Sequence, residues 1–113
     1  MKHLIMSALA ALVLSAGANA QEKVIKVGII GLDTSHSTAF TELLNGDSDD
    51  PYVRKFEIVA AYPYGSRTIE SSYKRIPGYI EEVKKYGVEI TSSISELLDK
   101  VDCVMLETND GRL

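Results

Sequence analysis

Four short apolar runs rich in β-branched residues, each separated from the next by a stretch of helical length, limit what this chain can become. "VIKVGII" (residues 24–30), "FEIVAAY" (56–62), "VEIT" (88–91) and "VDCVMLE" (101–107) read as strands. The first is apolar enough to be buried on both faces, as strands of parallel sheets are. Between them, "STAFTELLN" puts Ala39, Phe40, Leu43 and Leu44 on one helical face. The stretch that becomes helical by about Pro77 carries Ile76, Ile80 and Val83 as its stripe. Glu81 and Glu82 lie toward its start, Lys84 and Lys85 toward its end, and Gly87 suits its C-cap region. "SISELLDK" supplies a third helix, with Ile94, Leu97 and Leu98 facing inward and Ser93 and Glu96 at capping-box spacing.

Strand and helix in alternation specify an α/β protein with a parallel sheet. Right-handed crossovers predict the strand order 3-2-1-4, a partial doubly wound, Rossmann-like sheet that is incomplete at the C-terminus. The fourth strand is followed only by "TNDGRL", so no crossover helix would cover it. An uncovered parallel edge is a liability that intact domains avoid, and the expectation is a fragment of a longer protein.

The first twenty residues form a separate segment. Lys2 and His3 precede an apolar run from Leu4 to Leu14, and small residues surround Ala18-Asn19-Ala20. This is the layout of a cleaved secretory signal, and the run is shorter than the roughly 20 apolar residues a membrane span needs. The expected organisation is a signal peptide over 1–20 and a partial domain over 21–113. The product would be exported, periplasmic or secreted, and would have no membrane attachment after cleavage.

The whole chain carries a formal charge of −4, and loss of Lys2 with the signal makes it one unit more acidic. Such a surface has no general attraction for nucleic acid or anionic membrane, and neither is expected as a partner. Cys103 is the single cysteine, which excludes an intrachain disulfide; its apolar run predicts a buried, inert thiol.

In a sheet of this order the ligand crevice lies at the C-terminal ends of strands 1 and 4. Those ends read "GLDTSH" and "ETNDG". Set on a G-x-G-x-x-G dinucleotide template, the first keeps Gly31 but has Asp33 and His36 where the second and third glycines belong. A carboxylate at the second place meets a diphosphate with like charge unless it is turned away or bridged by a cation. What favours an anion is the helix N-terminus, with hydroxyls from Thr34, Ser35 and Ser37. Oxygens of Asp33, Thr34 and Ser35 also suit the N-cap. No acid follows strand 2 for the ribose hydroxyls; Ser66 and Arg67 stand there, suited to a 2′-phosphate or simply to a solvated turn.

His36 is open to three readings: a locally bonded helix-cap residue, a substrate or phosphate contact, or a metal ligand with Asp33 and with Glu107 or Asp110. The metal set has no diagnostic spacing. Asp33, Ser35 and His36 are also the residue types of a hydrolase triad, but adjacent positions on one tight turn do not easily line up nucleophile, base and orienter, which disfavours that reading.

"KVGIIGLDTSHSTAF", "FEIVAAY" and "YGVEITSSISELLDKVDCVMLET" with the following "NDGRL" resemble the N-terminal Rossmann domain of the Gfo/Idh/MocA oxidoreductases. The likeness is to an exported bacterial branch with a G-L-D-T-S-H turn. The resemblance implies NAD or NADP as cofactor, a sugar or polyol as substrate, and a homo-oligomeric parent with a second domain. It implies that Gly31, Thr34, Ser35 and His36 match the phosphate turn, and that Thr108 and Asn109 match the loop passing the nicotinamide. Ser66 and Arg67 complete the candidate cofactor-binding set. The family's catalytic lysine and histidine follow later strands, so no catalytic residue is expected in this chain.

Two functions follow as expectations. One is the nucleotide-binding part of an exported NAD(P)-dependent oxidoreductase acting on sugars or polyols, inactive by itself. The other is a non-redox carbohydrate- or metal-binding, or glycoside-processing, protein that reuses the crevice. A poorly folding, non-functional remnant is the third possibility.

Overall fold

A computed structural model describes residues 23–110. The expected signal over 1–20 lies outside the described residues. The chain runs through β1 (Ile25–Ile30), α1 (Ser35–Asn45), a 3-10 turn (Val53–Lys55), β2 (Phe56–Tyr62), α2 (Glu70–Tyr73), α3 (Ile76–Lys84), β3 (Glu89–Ile90), α4 (Ile94–Leu98) and β4 (Cys103–Leu106). The four strands form one parallel sheet in the order β3-β2-β1-β4, which is the order expected from the alternation.

The core has two layers because β1 and β2 are covered on both faces. Val27, Ile29, Leu32, Ile58, Ala61, Val83 and Val88 form one cluster, with Phe40, Leu44 and Ile80 packed against it from α1 and α3. Ile30, Ala60 and Leu97 form the other, beneath α4. Gly28 belongs to the second contact: a Cβ there would stand 3.0 Å from Leu97 Cδ1. A side chain at this position would require Leu97 and Val101 to give way slightly, so glycine suits this point of the strand interior.

Several local expectations are corrected. The inward face of α1 is Ser37, Phe40, Thr41 and Leu44, whereas Ala39 is exposed and Leu43 is 50% exposed. The two polar residues can be buried because the Ser37 hydroxyl donates to the Gly31 carbonyl at 2.7 Å and the Thr41 hydroxyl to the Ser37 carbonyl at 2.7 Å. With their hydroxyls satisfied, small polar side chains fit closer to the sheet than leucines would. Leu98 is likewise 53% exposed, because α4 is only five residues long and turns just Leu97 fully inward.

The third strand is two residues long instead of four, since β3 pairs with β2 only at Ala60 and Ala61. Below that point Asn45, the last residue of α1, takes over. Its Oδ1 accepts the Ile58 N–H at 2.8 Å, and its Nδ2 donates to the Ile58 carbonyl at 2.7 Å and to the Tyr86 carbonyl at 3.2 Å. One side-chain amide thus serves as a peptide unit beside β2, where the register to β1 also shifts, between Val27 and Gly28.

Cys103 is exposed, not buried. Among the described residues strand β4 pairs with β1 alone, and its residues Cys103, Val104 and Leu106 are all exposed. Apolar composition marked this segment as a strand, but burial depends on its place at the sheet edge, which composition does not carry.

Candidate functional site

The C-terminal ends of β1, β2 and β4 converge on a single carboxylate. After β1 the chain turns at Gly31, whose φ of +95° is a conformation that favours glycine. A Cβ on Gly31 would lie 2.8 Å from the backbone nitrogen of Thr108, so the loop after β4 rests directly on the turn. The ladder continues past the strands: Gly31 N–H donates to the Tyr62 carbonyl at 2.9 Å, Leu32 N–H to the Pro63 carbonyl at 2.8 Å, and Glu107 N–H to the Ile30 carbonyl at 3.0 Å.

Asp33 follows, and its side chain points into the protein. It is 0% exposed. Its Oδ2 accepts the Ser66 N–H from the β2 loop at 2.9 Å and the Thr108 hydroxyl from the β4 loop at 2.9 Å. Its Oδ1 is also buried and has no hydrogen-bond partner among the described residues. Gly65 makes this arrangement possible, because a Cβ there would collide with the Asp33 carboxylate and with the Thr108 hydroxyl. The residue that spoils the glycine template is therefore turned away from the open side of the turn.

The helix that follows begins without a side-chain cap. Thr34 is the N-cap residue, but its hydroxyl donates to the Glu107 carbonyl at 2.9 Å and gives no cap bond to α1. This corrects the expected use of Thr34 as a capping oxygen. The N–H groups of the first turn, including those of Ser35 and His36, keep the electropositive character of a helix start.

The sequence-derived site residues divide into two groups. Gly31, Thr34, Ser66 and Thr108 hold the three strand ends together. Ser66 is itself buried, and its Oγ accepts the Ile69 N–H at 3.0 Å and the Thr68 N–H at 3.3 Å. Ser37, also expected as an anion donor, is buried and bonded to Gly31. Ser35, His36, Arg67 and Asn109 form the second group; all four are exposed around the crevice.

His36 is 73% exposed at its side chain and lies with Nδ1 3.9 Å from Glu107 Oε2, while its ring meets Phe40 edge-on with centroids 6.4 Å apart. The imidazole and the Glu107 carboxylate are thus brought to the same mouth of the crevice. Asp33 is not part of that pair, because its carboxylate is bonded to Ser66 and Thr108. Among the described residues no group of three His, Cys, Asp or Glu side chains is placed to hold a metal ion.

Sequence reasoning missed Gly65 and the bridging role of Asp33. The signal available was weak: an acid at a glycine position, with a glycine one residue before Ser66. On the β2 side Tyr62 and Tyr64 stack edge-to-face at 5.6 Å, and Tyr64 is 52% exposed beside the crevice. A groove of about 260 Å³ lies at the opposite end of the sheet, beside Val24, Phe56 and the end of α1, away from the crevice.

No protein family, curated protein or solved structure matches this chain.

Proposed function

We propose that this chain is the nucleotide-binding part of an exported NAD(P)-dependent oxidoreductase of Gfo/Idh/MocA type, acting on sugars or polyols. The observation that carries this reading is the inward turn of Asp33, which keeps its own carboxylate off the outer face of the first turn of α1. The strand order supports it, because a switch point between β1 and β4 is where such sheets take their ligands. When bound, a nicotinamide cofactor would accept or return the hydride of a sugar carbinol carbon.

In this reading the residues of the chain bind and orient. The N–H groups at Ser35 and His36 and the Ser35 hydroxyl face a diphosphate, Arg67 faces the β2-side ribose, and Asn109 faces the nicotinamide side. None of them abstracts the substrate proton, so the chain by itself turns over no sugar. The test is titration calorimetry of the full chain with NAD and NADP, beside neutral hexoses and divalent cations. Saturable nucleotide binding is expected. Binding of a hexose or a metal ion with no nucleotide response would sink the reading.

A second reading rests on a different observation. The β2 and β4 loops meet over the end of β1, with Gly65 against Thr108 and the Asp33 carboxylate beneath them. In this reading the closed contact limits the space over the end of β1, and the carboxylate offsets part of the positive helix end. Both features favour a compact, uncharged polyol, and the same titration distinguishes the two.

A further inference from the structure

We propose that Asp33 is the positioning residue of the crevice: one carboxylate oxygen couples the β2 and β4 loops, so that neither wall can shift without the other. The inference rests on the crevice being the ligand site, and it goes beyond the identity of the ligand.

The argument starts from the shared acceptor. Ser66 N–H and the Thr108 hydroxyl both end on Asp33 Oδ2, each at 2.9 Å, although they lie 33 and 75 residues away in sequence. Ser66 and Thr108 are each followed by an exposed residue suited to a ligand, Arg67 and Asn109. The clamped residue in each loop is therefore the neighbour of the one free to bind. In a loop whose main chain is held on one side, the next side chain swings from a fixed root, and preorganisation of that kind reduces the ordering cost of binding.

Two further features show that the joint is built for this acceptor. Position 65 must lack a side chain for the carboxylate to fit between the loops. The Thr108 hydroxyl, besides donating to Asp33, accepts the Asp110 N–H at 3.2 Å, so the bond to Asp33 also sets the course of the loop beyond β4. A glycine at position 33, as the dinucleotide template has it, would leave Ser66 N–H and Thr108 Oγ1 without this common partner.

The test is hydrogen–deuterium exchange of the full chain carrying Thr108→Val, which keeps the side chain's shape and removes its hydroxyl. Exchange should quicken across residues 63–69 on the far wall by about tenfold, the factor that corresponds to one lost buried hydrogen bond. Thr108→Ser should restore the original rates. Loosening confined to residues 105–110 would overturn the proposal, because the joint would then hold only its own loop. Asp33→Ala should loosen both walls together; if that variant fails to fold, the Thr108 pair still decides.

Calorimetry with NADP supplies the functional arm. Thr108→Val should weaken NADP binding several-fold, and the penalty of Arg67→Ala should shrink in that background. Unchanged affinity alongside loosened loops would remove the positioning role. If the unmodified chain binds neither NAD nor NADP, the proposed function fails, and the exchange measurement alone then upholds or overturns the coupling.

Discussion

Two helices of this domain begin on hydroxyl-rich sequence and use it in opposite ways. At α4, Ser93 Oγ accepts the Glu96 N–H at 3.0 Å, and Glu96 Oε2 reaches back to the Ser92 N–H at 3.0 Å and the Ser92 hydroxyl at 2.8 Å. The carboxylate grips one residue earlier than the usual capping box, but the result is the same: the helix start closes upon itself. At α1, Thr34, Ser37 and the adjacent Asp33 all bond elsewhere, to Glu107, Gly31, Ser66 and Thr108. A locally closed helix start has little left for a ligand. One whose neighbouring side chains are spent on other strand ends keeps its own N–H groups available. The contrast separates a helix start closed by its own side chains from one whose N–H groups are left open, without reference to any template.

The contrast can be broken most severely at Gly31. Gly31→Ala adds a Cβ against Thr108 at a positive φ, and should cost about 3 kcal/mol by combining backbone strain with overpacking. Urea unfolding would measure it, and a loss below the error of the extrapolation would mean that the β4 loop does not rest on the turn. Gly65→Ala comes next, at about 2 kcal/mol, because the new methyl group must displace either the Asp33 carboxylate or the Thr108 hydroxyl. Near-wild-type stability of that variant would show that the two loops are farther apart than described.

Ser93→Ala should cost about 1 kcal/mol, the usual worth of an N-cap, with faster amide exchange confined to α4. Thr34→Val should cost a similar amount, about 1 kcal/mol for one hydrogen bond, but its loosening should register at the end of β4. If both variants loosened only their own helices, the distinction between the two helix starts would fail.

The smallest effect concerns acidity. The Ser92 N–H, then the Ser92 hydroxyl, hold the Glu96 carboxyl below its ordinary pKa. The folded-state value is depressed, so its contribution is present above the unfolded pKa and lost as pH falls through the lowered one. The stability gap between the wild-type chain and Glu96→Gln should therefore narrow as pH falls from neutral into the acid range below the usual carboxylate value. A gap that stays constant would show that the charge of Glu96 contributes nothing to the cap.

The fold was legible because it depends on patterns that are local. β-Branched runs such as "KVGII" and the Ser93–Glu96 spacing encode their structures within a few residues, and chain-crossing rules supply the strand order. The site was legible only in part. Gly31 announced the turn, but the direction of the Asp33 side chain depends on partners in two distant loops, and no spacing rule reaches them. The exposure of Cys103 was legible in the expected strand order, which already sets β4 at an uncovered edge; the apolar run around the thiol points the other way only when composition is read without that order. The inward face of α1 departs from the apolar stripe because hydrophobicity ranks leucine above serine, while the close approach of helix to sheet favours the smaller residue.

The amide of Asn45 has a chemical consequence as well. It precedes Gly46, and an asparagine–glycine peptide is prone to lose ammonia through attack of the glycine nitrogen on the side-chain carbonyl carbon, with water then opening the cyclic imide. Here the Gly46 N–H is engaged by the Glu42 carbonyl at 3.0 Å, and the Asn45 amide is engaged at both ends, so the folded chain restrains both reacting groups. An aspartate at that position would set a carboxylate against the carbonyl oxygens of Ile58 and Tyr86, which now receive a donor. Loss of ammonia at this pair is thus set by how long the end of α1 spends unfolded.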